Sequence, residues 1–266
     1  MKKLFLTLIS IISLLLLPSV SLAETSKNPL IMEELSIKIL PEFAFHPLDH
    51  KKTHPPLLIG YQGTLVNTLD HSTQGRIEIP LPMNEKNFRI GYVADYSSDL
   101  SKTHEIEYTV DSAKGTISWT TSEKIKPQGR YKFTIEYYTD SLKVSENKRL
   151  LDYHFKSFAD TGLLSMTITQ PYKAMNLKLT PAPKETSHDE DANTSTYFFQ
   201  NVKAGDEKSF TLSYNRNDSK PLMELINEKS TSTPKKNSYP MIASISAVSL
   251  LAAGTIIILI RKRTRN

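Results

Sequence analysis

Cysteine is absent from all 266 residues, which excludes disulfides, thiolate metal sites, a cysteine nucleophile and a lipid-bearing lipoprotein cysteine. Also missing are a Gly-x-Ser-x-Gly elbow, a His-Glu-x-x-His helix, a Gly-rich phosphate loop and a close pair of catalytic acids. Scattered Ser, His and Asp residues do not replace them, so the sequence reads as non-enzymatic. Between its hydrophobic ends the chain has no sustained run of helical period. Nor is there a true excess of positive charge. The formal net charge is +5, but Lys2, Lys3, Arg261, Lys262, Arg263 and Arg265 supply six of the 33 basic residues, leaving 27 against 28 acidic ones. A near-neutral body gives no footing for a nucleic-acid partner, and no cofactor is implied.

Two hydrophobic segments are present instead. Lys2-Lys3, the apolar run Leu4 to Leu17, Pro18 and the small-residue end Ser21-Leu22-Ala23 predict a signal peptide over 1–23, cleaved before Glu24. Residues 240–260 predict a single transmembrane helix, because about 20 apolar residues at 1.5 Å each match a hydrocarbon core of roughly 30 Å. The basic tail at 261–266 belongs on the cytoplasmic side. The expected topology is a body outside the cell membrane held by one C-terminal span. A short Lys-Lys signal and the missing cysteines point to a bacterial envelope.

Within the body the hydrophobic period is two. Leu35, Ile37 and Ile39 alternate with polar neighbours, as do Ile77 and Ile79, then Ile106, Tyr108 and Val110, then Tyr131, Phe133, Ile135 and Tyr137. Leu151, Tyr153 and Phe155 follow, then Leu164, Met166 and Ile168, Leu177 and Leu179, and Phe210, Leu212 and Tyr214. The body is therefore expected to be all-β. An internal repeat divides it. Ile125-Lys126-Pro127-Gln128-Gly129 leads to Phe133-Thr134-Ile135-Glu136-Tyr137, and Val202-Lys203-Ala204-Gly205-Asp206 leads to Phe210-Thr211-Leu212-Ser213-Tyr214. Lys, Phe, Thr, an aliphatic residue and Tyr recur at matching offsets, with only the Gly displaced by one. A turn that needs positive φ, followed by a strand with one apolar face, accounts for the pattern. The expectation is two tandem immunoglobulin or fibronectin type III style β-sandwiches, 24–140 and 141–218, with 219–239 as a Pro- and Ser/Thr/Lys-rich stalk.

Gln170-Pro171, Lys173-Ala174, Leu177-Lys178-Leu179, Pro181-Ala182-Pro183 and Val202 to Asp206, together with Pro41-Glu42 and Gly60 to Asn67, resemble exported single-span proteins of Gram-positive, often spore-forming bacteria. The resemblance implies a fibronectin-like fold and a surface location and brings no catalytic residue. The apolar segment and basic tail are also similar to sortase-anchored wall proteins, but no Leu-Pro-x-Thr-Gly precedes the span.

Three groups of residues could carry chemistry. His46, Asp49, His50 and His54 fall within nine residues, and neutral imidazoles with a carboxylate suit zinc or copper. Pro47, Pro55 and Pro56 oppose the helix that would align the rings, and Lys51 and Lys52 repel a cation, so a solvated loop is preferred to a metal site. His188-Asp189-Glu190-Asp191 lacks the spaced ligands and Gly of a calcium loop and also reads as solvated. Tyr92, Tyr96, Tyr108, Trp119, Tyr131, Tyr137, Tyr138 and Tyr153 could include a stacking platform for sugar or peptide, but their alternation is equally that of a core, and Trp119 is expected there. The resulting expectation is a membrane-anchored surface protein acting as a binding, spacer or envelope-structure module, with an envelope protein or polysaccharide as partner. A polysaccharide-binding or sensing accessory of an envelope enzyme is the first alternative. A metal-binding envelope protein or metal-dependent hydrolase is the second.

Overall fold

The computed structural model describes residues 30–49, 52–97, 100–188 and 193–224. The expected signal peptide, membrane span and basic tail, most of the stalk, His50 and Asp189 to Asp191 lie outside the described residues. No helix among the described residues is long and apolar enough to cross a membrane.

The body is all-β, as its alternation requires. Its first half holds β1 (Leu30–Pro41), β2 (Leu57–Asn67), β3 (Arg76–Pro80), β4 (Arg89–Tyr96), β5 (Thr103–Glu105), β6 (Thr109–Asp111), β7 (Thr116–Thr120) and β8 (Arg130–Thr139). The second holds β9 (Lys143–Ser145), β10 (Lys148–Lys156), β11 (Thr161–Thr169), β12 (Met175–Thr180), β13 (Glu185–His188), β14 (Asn193–Val202) and β15 (Glu207–Asn215). They form an eight-stranded sheet, β13-β14-β11-β1-β2-β8-β4-β5, a four-stranded sheet, β12-β15-β10-β9, and a three-stranded sheet, β3-β7-β6.

One strand order occurs twice in this list. β1-β2-β8-β4 with β3-β7-β6 in the first half matches β9-β10-β15-β12 with β11-β14-β13 in the second. Every corresponding pair is antiparallel. The turns of the sequence repeat correspond as well. Gln128 and Gly205 hold the positive φ, 56° and 91°, so the left-handed residue keeps its offset although the Gly does not. The Gln128 and Gly205 amides donate to the Asn67 and Ser157 carbonyls, and the Asn67 and Ser157 amides donate back to the Gly129 and Asp206 carbonyls, at 2.7–3.0 Å.

Two features modify the expected picture. In the order of an immunoglobulin sandwich the fifth strand pairs beside the second, whereas here the last strand of each half, β8 or β15, takes that place. The halves are also not separate bodies. β1 pairs in parallel with β11, from Met32 opposite Thr161 to Ile39 opposite Ile168, and this seam creates the eight-stranded sheet across the 140/141 division. The segment Ile106 to Val110, expected as one strand, is not continuous: Ile106 to Tyr108 lie between β5 and β6, only Thr109 and Val110 join β6, and Tyr108 and Val110 are exposed.

Both smaller sheets pack on the same face of the large one. Pairing registers place Tyr197, Met166, Ile37, Tyr61, Ile135 and Val93 in one row of that face. Across the layers, the ring of Trp119 meets Phe133 at 5.4 Å, that of Phe210 meets Tyr197 at 5.7 Å, and that of Phe155 meets Tyr61 at 6.1 Å. Residues of both halves thus share one continuous core. Gly63 is needed for it, because a Cβ there would lie 2.2 Å from the Phe133 ring.

Candidate functional site

The other face of the large sheet is the candidate site. Its apolar and ring contacts among the described residues are confined to one end, where Leu40, Leu58 and Tyr138 are covered by Phe43, His46 and Leu222. Beyond that end the side chains are short or polar apart from Phe198. One row contains Tyr92, Glu136, Gly60, Lys38, Thr167 and Thr196; the next contains Ala94, Thr134, Gln62, Ser36, Ser165 and Phe198; a third contains Lys132, Thr64 and Glu34. Alternation dictates this: Ile37, Ile39, Phe133 and Ile135 point into the core, so Ser36, Lys38, Thr134 and Glu136 point out.

Four charges stand at the corners of the area. Glu34 and Lys38 lie on β1, Lys132 and Glu136 on β8, with Thr64 between one cross-strand pair and Gly60 between the other. All four are half-buried, and none makes an ion pair or side-chain hydrogen bond among the described residues. Gly60 leaves a gap, since the nearest atom to a Cβ there would be Lys38 Cβ at 3.9 Å. Burial pushes the Lys38 amine down to about 8, against the pull of Glu136. Burial likewise raises Glu136, opposed by Lys38, and Glu34, opposed by Lys132 and reinforced by Glu33. In the centre Gln62 donates to the Tyr96 hydroxyl at 3.2 Å. Such a surface offers donors, acceptors and both signs of charge on a rigid sheet. Among the described residues, no hydroxyl of this face is hydrogen-bonded to a histidine.

The histidine loop has a different role from the one its composition suggests. The Asp49 carboxylate accepts the His46 amide at 3.2 Å and pairs with Arg89 at 3.0 Å. Lys52 pairs with Asp140 at 2.5 Å, and Asn87 donates to the same carboxylate at 2.6 Å. Two cations and two carboxylates therefore neutralise one another, which holds Asp49 and Lys52 to the sheet, while Pro47, Leu48 and Thr53 are exposed. The Lys52 and Asn87 hydrogen bonds outweigh burial to hold Asp140 below the usual carboxylate range. His46 packs edge-on against Tyr138 at 5.1 Å, and its Nδ1 accepts the Leu48 amide at 3.2 Å. Asp49 is thus committed to Arg89, while His54 is not joined to His46 or Asp49 by any contact in the described structure. No group of three or more metal-ligating side chains occurs among the described residues.

Aromatic residues divide between the two faces. Trp119, Tyr131, Tyr137 and Tyr153 are core residues, and Trp119 Nε1 donates to the Tyr131 hydroxyl at 2.9 Å. That hydroxyl donates in turn to buried Asp95 at 2.9 Å, which also accepts from Ser122. Tyr92 and Tyr96 join the polar face, where Phe198 also stands, and Tyr138 lies at its covered end. Tyr108 lines an open groove of about 660 Å³ with Arg76, Glu105 and Trp119.

One further cluster escaped the sequence reading. Glu42, fully buried with φ of 52°, lies 3.0 Å from Arg149 and 3.2 Å from Arg216, and accepts the Tyr214 hydroxyl at 2.8 Å. Arg216 also donates to the Tyr172 and Lys220 carbonyls. The cluster joins the end of β1 to β10 and β15 and is structural. Nothing local in the sequence marks residues 42, 149 and 216 as partners.

No family model and no curated protein sequence matches the chain. Among solved structures it is similar to a candidate nutrient-binding protein from Legionella pneumophila, at 14% identity and a TM-score of 0.43, covering 70% of this chain and 68% of that one. It is also similar to an M1 zinc metallopeptidase from Deinococcus radiodurans, at 9% identity and a TM-score of 0.42, covering 71% of this chain and 43% of the peptidase.

Proposed function

We propose that the chain is a non-catalytic, membrane-anchored envelope module that works by association through the polar face of its eight-stranded sheet. One observation carries the reading: four half-buried charges on that face attract one another only across β2 and close no ion pair within the described residues. Withdrawing a charge from water costs free energy unless an opposite charge or hydrogen bonds compensate it. Buried Glu42 has that compensation inside the fold. For Glu34, Lys38, Lys132 and Glu136 it comes from a bound partner. The anchor follows from the charge asymmetry around the two apolar segments, and the repeated sandwich is the rigid body that holds the face away from the bilayer.

Native electrophoresis of solubilised membranes tests this. The wild-type chain should migrate as a complex, and Gln62→Trp, at the half-buried centre of the face, should migrate alone with its circular dichroism spectrum retained. Wild-type migration as a lone chain would sink the proposal. The topology is checked separately: protease added to intact cells should remove the body and spare 261–266.

A further inference from the structure

We propose that the partner of this face is the same face of a second copy, related by a two-fold axis lying in the plane between the two sheets. The inference rests on the reading of the face as an association surface and names its occupant. The argument is one of charge complementarity. β1 and β8 flank β2 and run in the same direction, since each pairs antiparallel with it. Thr64 stands opposite both Glu34 and Lys132, and Gly60 opposite both Lys38 and Glu136. The corners of the quartet therefore alternate in sign around the rectangle, with Gln62 at its centre.

An alternating quartet complements itself. Closed association of identical chains requires an isologous contact, in which a patch meets its own copy turned by a two-fold. With the axis across the strands, Glu34 of each copy faces Lys38 of the other, and Lys132 faces Glu136. With the axis along the strands, Glu34 faces Lys132 and Lys38 faces Glu136. Either way all four corners meet opposite charges, whereas a quartet with like signs along either edge would fail for one axis. Apposed sheets approach to about 10 Å, which demands short side chains between the corners. Ser36, Gly60, Thr64 and Thr134 meet that demand. The same pattern selects against a uniformly charged partner, because every placement of one would meet two like charges.

The test uses the full chain in detergent, followed by light scattering and sedimentation. Wild type is expected as a dimer that dissociates with added salt. Lys38→Glu puts like charges face to face on either axis and should weaken dimerisation about a hundredfold or more, with the circular dichroism spectrum retained. Restoring opposite charges to the facing positions of one axis restores the dimer for that axis alone. E34K/K38E does so for an axis across the strands, and K38E/E136K for an axis along them, so one of the two recovers dimerisation and the other does not. Because the chain has no cysteine, Gln62→Cys is a single reporter that lies on the axis in both arrangements. Mild oxidation should link it into a covalent dimer.

A monomeric wild type, a dimeric K38E, or failure of both double variants would overturn the proposal. So would a Q62C chain that reacts readily with a thiol reagent yet forms no covalent dimer, an outcome that leaves the face open and names the wrong partner. If Q62C resists the reagent even in the K38E background, the reading of the face as an association surface falls instead.

Discussion

Two sets of charges in this protein have been taken out of water, and their surroundings could hardly differ more. Glu42 is enclosed by Arg149, Arg216 and Tyr214 at 2.8–3.2 Å. Glu34, Lys38, Lys132 and Glu136 are half-buried on an outward sheet face with no ion pair among the described residues. The first set is complete within one chain and belongs to folding. The second closes no ion pair among the described residues, and under the proposed association its electrostatic balance is completed by a partner. Desolvation is the common cost, and the location of the compensating charge separates a structural cluster from a functional one.

Breaking the first set should have the largest effect. Glu42→Ala leaves two buried guanidiniums and a tyrosine hydroxyl without their acceptor and should cost about 3–5 kcal/mol, read as a lowered urea midpoint. Phe133→Ala and Phe210→Ala remove rings from the shared core and should each cost about 3–5 kcal/mol. Because the halves share a sheet, each should shift one common transition. Two separable transitions, only one of them moved, would show that the seam between β1 and β11 does not couple the halves.

A smaller and opposite effect is expected from the second set. Lys38 titrates near 8 in the fold against an ordinary 10.5. Between those values the unfolded chain binds a proton that the folded chain lacks, so the dilute monomer should gain stability as pH rises through this window. Lys38→Met should be more stable than wild type at neutral pH and should lose that rise. A variant less stable than wild type, with the slope intact, would mean that Lys38 is already paired within the chain. The smallest effect is expected at the histidine loop. With Asp49 held by Arg89, micromolar zinc or copper should leave the melting temperature unchanged. A saturable one-to-one shift, lost on replacing His46, His50 and His54 by Ala, would restore a metal site there.

Strands with one wet face were legible in the sequence because alternation reports a half-buried sheet, as in β8, β10 and β11. β2 was not read as a strand. It is central to the large sheet and covered on both faces at its Leu57-Leu58 end, so its burial is nearly continuous and the period of two disappears. The repeat was visible because turn chemistry and the following strand are local. Its true invariant is the positive φ shared by Gln128 and Gly205, which a Gly-based alignment displaces by one residue. The quartet was half legible: Glu34 with Lys38, and Lys132 with Glu136, are outward positions four apart on their strands. Their sign alternation depends on the register across β2, which no local pattern encodes. Asp49 was misread as solvated for the same reason, since Arg89 and Asp140 are distant in sequence.

The exit of the chain decides how the body responds to tension. After β15 it passes Arg216 and runs onto the end of β1, where the Leu222 and Met223 amides donate to the Glu42 and Phe43 carbonyls at 2.9 and 3.0 Å. A pull applied at Glu224 is therefore not delivered to a free end of β15. It is transmitted through these bonds, the Leu222 side chain and the Arg216 to Glu42 contact into β1, which pairs with β2 on one side and β11 on the other. Load spread along an interior strand must shear many hydrogen bonds together, whereas an edge strand can be peeled off one bond at a time. Under the proposed C-terminal anchor, mechanical stress would fall on the strand that joins the two halves.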